Sequence, residues 1–213
     1  TFRSGGAIIT ALIISFVIGP RLIRWLRSKQ HGGQPIRDDG PESHLLTKKG
    51  TPTMGGLMML FSVTLSTILW ADITNHYIWI CLLVTLGYGL IGFMDDYLKV
   101  SKKNTKGLPG KKKLVLQFAI ALIAALWTSH VTPVALNHHV ALPFVKNFLL
   151  DFGLFYAPFV MVVLVGASNA VNLTDGLDGL AIMPTVLVAA ALGVFAYAAG
   201  NAVFSSYLQI PAI

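Results

Sequence analysis

Two adjacent aspartates, Asp95 and Asp96, close an eighteen-residue run without a charge, Tyr77 to Met94. Carboxylates at the edge of a membrane-length apolar run are costly to hold near hydrocarbon and mark chemistry. If the run is helical, adjacent residues diverge by about 100°. Asp95 and Asp96 therefore do not share one proton as a dyad; one faces a metal or acts as base while the other holds a neighbour. A hard divalent cation suits such oxygens and would let an anionic substrate approach. The negative C-terminal dipole of a helix ending here would sharpen that need. Lys99, three and four residues on, either binds phosphate or restrains the pair by a salt bridge.

A second group sits in "NAVNLTDGLDGLA", residues 169–181. Asn169, Asn172, Asp175 and Asp178 recur every three residues. Gly176 and Gly179 argue against one unbroken helix. The two asparagines are expected on the last turns of one span, with the two aspartates in a Gly turn opening the next. Helix capping accounts for one or two of these residues, but not for four.

The third group is "DDGPESHLLTKKGTPTMGG", residues 38–56. Here a polar stretch enters an apolar span through Thr51, Pro52 and Thr53. A helix N-terminus preceded by Lys48 suits a phosphate, while Thr-Pro also serves as a plain helix start.

The elements that position these groups are membrane spans. The 213 residues are 54% hydrophobic and 12% charged, about half the charge of an ordinary soluble domain. The apolar residues come in long runs, at roughly 5–26, 54–70, 77–94, 114–128, 154–173 and 179–199. The fold class is all-α, a polytopic helical bundle of about six spans, treated as one integral membrane domain over 1–213. The first run is not a signal peptide, because Arg21, Arg24 and Arg27 follow it as a stop-transfer flank. Cys81, the one cysteine, is a packing residue, which excludes a disulfide framework and a cysteine metal site.

Of sixteen Lys and Arg residues, seven fall in 21–53 and seven in 95–113. The positive-inside rule puts these two loops, and the short loop near 172–178, in the cytoplasm. Seven of the nine acids fall on that same side; only Asp72 and Asp151 do not. Lipid attraction explains basic loops but not the acids gathered with them. Carboxylates, lysines, a helix N-terminus and Gly turns on one face are the parts phosphoryl transfer needs. A transporter would place its ionisable groups near the midplane instead, and a scaffold would not need the Asp and Asn groups.

"DDGPESH", "KKGTPTMGG", "GFMDDYLKV" and "NAVNLTDGLDGLA" resemble the phospho-N-acetylmuramoyl-pentapeptide-transferase (translocase I) family, through the whole chain. The acid pair and the Asn/Asp run are also similar to the wider polyprenyl-phosphate sugar-1-phosphate transferase superfamily. The resemblance implies that undecaprenyl phosphate attacks UDP-N-acetylmuramoyl-pentapeptide, giving lipid I and UMP with Mg²⁺. Asp95 would deprotonate or orient the lipid phosphate, Asp96 would support it, and Lys48 would position phosphate. Asn172 matches a metal-contacting position. Asp175, Gly176, Leu177 and Asp178 match the nucleoside and pyrophosphate wall, with Asn169 beside it. Thr53, Lys99 and Lys111 are further substrate-binding matches. The resemblance also implies a multi-pass protein of the bacterial inner membrane, active on its cytoplasmic face, in contact with membrane lipid and able to form a homodimer. No nucleic-acid partner is expected. Another transferase of the superfamily, or a transporter, is the alternative. Relatives run to about ten spans, with a further aspartate and a histidine-rich loop later in the chain, so this chain is expected to be part of a longer protein.

Overall fold

A computed structural model describes residues 2–30, 52–103, 106–141, 148–175 and 180–210. These form two compact units, Thr1–Val131 and Thr132–Ile213. Both are helical, and the second also holds a two-stranded ribbon. Among the described residues, five helices are long and apolar enough to cross a membrane.

The first unit holds α1 (Phe2–Lys29), α2 (Gly56–Trp70), α3 (His76–Lys102) and α4 (Gly110–Val131). Consecutive helices pack against one another and alternate in direction. At one end Phe2 of α1 meets Trp70, the last residue of α2, ring to ring at 5.8 Å, and Trp70 Nε1 donates to Thr10 Oγ1 at 2.9 Å. There too His76, opening α3, lies 6.5 Å from Trp127 near the end of α4. At the other end the C-termini of α1 and α3 stand with the approaches to α2 and α4, as the bonds of the site below show. The C-terminal ends of α1 and α3 thus share a side.

Glycines let these helices approach closely, Gly6 of α1 against Trp70 of α2 among them. Met58 of α2 lies against Gly19 of α1, Leu60 of α2 against Gly89 of α3, and Ile120 of α4 against Gly87 of α3. Small residues at such contacts are how helices associate where lipid removes the usual hydrophobic drive. Tyr88 Oη adds a bond to the Gln117 carbonyl at 3.1 Å.

The helix ends lie within four residues of the sequence reading, except that of α3, which lies eight residues further on. α2 has 15 residues, about 22 Å of helix at 1.5 Å per residue, and is short of a hydrocarbon core of about 30 Å. α3 has 27 residues, about 40 Å, and runs two turns past Met94. Asn75 caps its start by accepting from the Tyr77 amide at 2.9 Å. No Gly or Pro interrupts the chain after Gly92, so the helix continues until Lys103 turns left-handed at φ 49°. The sequence reading placed 95–113 in a loop; in the structure helix runs to Lys102 and begins again at Gly110.

The turn before α3 holds Asp72. The Thr74 hydroxyl, at 2.6 Å, and the Thr74 amide both donate to its carboxylate and hold it below the ordinary carboxylate range.

The second unit begins with an antiparallel ribbon, β1 (His139–Ala141) with β2 (Leu149–Asp151). The all-α reading did not include it; three-residue strands leave no readable alternation. A short 3-10 turn, Gly153–Phe155, leads into α5 (Tyr156–Thr174), followed by α6 (Ile182–Ala199) and the short α7 (Ala202–Leu208). On α6, Val186, Leu187, Val188, Leu192, Val194 and Phe195 are all exposed. A helix apolar on every side is one whose solvent is lipid or other protein.

Candidate active site

The site in the first unit is built on the last two turns of α3. Asp95 lies 19 residues after His76, about 28 Å along the axis, so the pair stands where a hydrocarbon core of about 30 Å ends. The two carboxylates turn to different neighbours, as adjacent helical positions must. Asp95 Oδ1 accepts the Leu108 amide at 2.7 Å from the turn before α4. Asp96 Oδ2 accepts the Thr53 hydroxyl at 2.7 Å from the chain entering α2.

Lys99 joins them. Its Nζ is 2.6 Å from Asp95 Oδ2 and 3.3 Å from Asp96 Oδ1. The i,i+3 and i,i+4 positions lie on neighbouring faces of one helix, so a single ammonium reaches both acids. The Asp95 side chain is 17% exposed and that of Asp96 33%, which leaves both open enough to meet a substrate. The helix-end field invoked from sequence is not the dominant one. The pair sits short of Lys102, and the dipole effect fades within the last turn. Lys99, in contact with both carboxylates, is the nearer charge.

Gly107 makes the Leu108 bond possible. It has φ +55°, and a Cβ there would run into Asp95 Oδ1 and, at 2.8 Å, Lys99 Cε. Only glycine suits both the left-handed backbone and the lack of room.

Thr53 is set in turn by Gln30. The Gln30 side chain accepts the Thr53 amide at 2.9 Å and donates to the Thr53 carbonyl at 3.2 Å. α2 starts three residues later, at Gly56. Gly55 caps it without a side-chain bond, after Met54 at φ 70°. Gly55 and Gly56 are exposed, and the Leu57 and Met58 amides donate to the Met54 and Gly55 carbonyls, both at 3.1 Å.

Of the residues expected from sequence, the structure brings together Thr53, Asp95, Asp96 and Lys99. Lys111 stands exposed on the first turn of α4. Lys48, Gly176, Leu177 and Asp178 lie outside the described residues. In the second unit Asn169 and Asn172 occupy the last turns of α5, as expected, and Asp175 is its C-cap, with its amide on the Val171 carbonyl. Asn169 Nδ2 donates back to the Val165 carbonyl at 2.8 Å. Sequence reasoning missed Gln30 and the Gly107–Leu108 turn. The Gly-Leu-Pro-Gly spelling of the turn was a usable signal; a lone glutamine after a basic helix end was not.

A family model described as glycosyl transferase family 4 matches residues 78–212, which includes the acid pair and the Asn/Asp run. The chain belongs to glycosyl transferase family 4. Among curated members of like sequence, it is 59% identical over 210 residues to the phospho-N-acetylmuramoyl-pentapeptide-transferase of Granulibacter bethesdensis, covering 99% of this chain and 58% of that protein. Proteins of the same name from Ruegeria sp. (strain TM1040) and Maricaulis maris are 56% and 52% identical, each over 99% of this chain and 58% and 59% of their own length. The chain thus spans less than two thirds of the relatives it matches. For this family 4 member, Asp95, Asp96, Lys99 and Thr53 form a continuous polar surface at one end of an apolar bundle.

Among the described residues no three His, Cys, Asp or Glu side chains gather as a metal site. The carboxylate pair still fits a hard cation in its chemistry. A carboxylate has about four lone-pair sites, and each oxygen of Asp95 and Asp96 spends one on a bond named above. Lys99 leaves this trio at a formal charge of minus one, so room for further positive charge remains.

Proposed function

We propose that the protein carrying this chain transfers phospho-N-acetylmuramoyl-pentapeptide from its UDP conjugate to undecaprenyl phosphate, giving lipid I and UMP, as a phosphoglycosyl transferase of peptidoglycan synthesis. The observation that carries this reading is 52–59% identity over 99% of the chain to proteins bearing that one name. The geometry supports it: the paired acids sit two turns before the end of α3, held by a lysine and by two donors from other segments.

In this reading the lipid phosphate docks beside Asp95, whose remaining lone pairs orient it or take its proton. Asp96, fixed by Thr53, holds the Asp95–Lys99 pair in register. Lys99 offsets the charge that gathers as two phosphorylated substrates meet, a service that fixed cations render without reorganisation. Asn169, Asp175, Gly176, Leu177 and Asp178 serve the nucleotide donor, with Lys48 and Lys111 as further phosphate-binding lysines. Mg²⁺ would be held by oxygens of Asp95 and Asp96 and would supply charge neutralisation of the phosphates; Asn172 keeps the metal-contacting role that the resemblance implies. The membrane is the bacterial inner membrane, the active face is cytoplasmic, and the working unit is a homodimer.

The test is transfer of radiolabelled sugar phosphate to undecaprenyl phosphate by the full-length protein in lipid, with Mg²⁺ and after chelation. Lipid I formed only with the metal present is the expected result. Transfer to another polyprenyl-phosphate acceptor or from another sugar nucleotide, with none from this donor, would place the protein elsewhere in the superfamily. No transfer at all would overturn the reading.

A further inference from the structure

Gln30 is 6% exposed and follows directly on α1. Its own amide bonds to the carbonyl of Leu26, a core residue, at 2.9 Å. A buried primary amide must satisfy both its donor and its acceptor. Gln30 does so on a single peptide-chain neighbour, Thr53, 23 positions away, taking its N–H and giving to its C=O. This two-point contact fixes the Thr53 backbone in position and in rotation. Only χ1 then remains to place the hydroxyl, and it lies 2.7 Å from Asp96 Oδ2.

We infer that Gln30 is a positioning residue for the acid pair, acting through the Thr53 hydroxyl on Asp96. A hydroxyl held at one point donates along one direction, and so selects one rotamer of the Asp96 carboxylate. That rotamer turns Oδ1 toward Lys99 Nζ, 3.3 Å away, and Lys99 in turn meets Asp95 Oδ2. The relay runs from the core-anchored end of α1 to Asp95 through four side chains, and two of its links cross between segments far apart in sequence. Gln30 itself touches no carboxylate, so it alters the site only by way of Thr53. This inference rests on the transferase reading for its kinetic consequence and on geometry alone for its structural one.

The experiment is a double-mutant cycle in the full-length protein in lipid, with Gln30→Met and Thr53→Val. Gln30→Met keeps length and loses both bonds; Thr53→Val keeps shape and loses the hydroxyl. Each alone is expected to lower kcat about tenfold, the size of one lost hydrogen bond to a charged group. The donor KM should change less than kcat. In the Thr53→Val background, Gln30→Met should cause no further loss, because residues acting in series are not additive. Thr53→Ser, which keeps the hydroxyl, should retain most of the activity. If Gln30→Met lowers kcat equally in both backgrounds, Gln30 acts independently of the hydroxyl and the inference is wrong. Unchanged turnover in Gln30→Met overturns it as well.

A second readout does not depend on activity. The carboxyl carbon-13 resonance of Asp96, assigned by its loss in Asp96→Asn, should move alike in Gln30→Met and Thr53→Val and no further in the double variant. An Asp96 resonance unmoved by Gln30→Met overturns the inference even if the unmutated protein transfers no sugar phosphate, an outcome that would sink the transferase reading on its own. Should Gln30→Met fail to fold, Gln30→Asn keeps a neutral amide but shortens its reach to the Thr53 backbone by one methylene. It should move the same resonance, and a resonance it leaves in place counts against the relay.

Discussion

The Leu108 amide and the Asp95 carboxylate, thirteen positions apart, are joined by a 2.7 Å hydrogen bond. That bond folds the α3–α4 turn back over the acid pair and ties the entry of α4 to the chemistry at the end of α3. It exists because Gly107 sits between them at φ +55° with no room for a Cβ.

Gly107→Ala is therefore expected to damage the site more than the fold. A side chain at positive φ costs upwards of about 1 kcal/mol, and here it also displaces Asp95 and Lys99. Thermal unfolding should show a loss of that order, and kcat should fall about tenfold or more for a displaced catalytic group. Exchange of the Leu108 amide with deuterium should quicken. A variant with slow exchange and normal turnover would mean that the turn does not govern Asp95.

Asp95→Asn keeps shape and removes one negative oxygen. If Asp95 acts on the lipid phosphate, kcat in the full-length protein should fall by roughly 10²-fold or more, the range for loss of a general base. Lys99→Met should also be harmful for a different reason: it leaves two adjacent carboxylates without the shared cation. The two variants separate on chelator titration. Lys99→Met should depend more steeply on added Mg²⁺, because the metal must then balance the acids alone. Equal metal dependence in Lys99→Met and the unmutated protein would argue that Lys99 serves the substrate and not the acid pair.

Much of this arrangement is legible in the sequence because it is local. The long apolar runs became helices, Lys99 pairs with the acids at helical spacing, and Asn169 and Asn172 close α5 as their spacing suggested. What could not be read was made by long-range bonds. Thr53 and Asp96 are 43 positions apart and Gln30 and Thr53 are 23 apart, and no periodicity relates such pairs. The extension of α3 past Met94 was missed because hydropathy marks where lipid ends, not where a helix ends. The ribbon of β1 and β2 was missed because three residues per strand carry no pattern.

Topology has a direct check. With Cys81 removed, single cysteines at Ser101 and Thr174 should resist an impermeant thiol reagent in intact cells, while one at Thr74, in the turn before α3, should react. Ser101 lies in the last turn of α3 and is exposed, so failure to label would reflect its side of the membrane and not burial. Ready labelling of Ser101 from outside would invert the orientation drawn from the lysines and arginines.

The last expectation concerns how helix packing sets the acid pair. Gly89 of α3 lies against Leu60 of α2, where an added Cβ would collide with the leucine side chain. Asp96 lies seven residues on, two turns along the same face, and meets Thr53 just before α2. Widening the Gly89 contact should therefore pull Thr53 away from Asp96. Gly89→Ala alone should cost about 1–3 kcal/mol, the range for overpacking, and should lower turnover with it. The obstacle is the end of a flexible side chain, so Leu60→Ala in the same molecule should make room for the new methyl. The double variant is expected to recover part of the stability and most of the turnover lost by Gly89→Ala. If it recovers neither, the α2–α3 contact at Gly89 does not control the distance between Thr53 and Asp96.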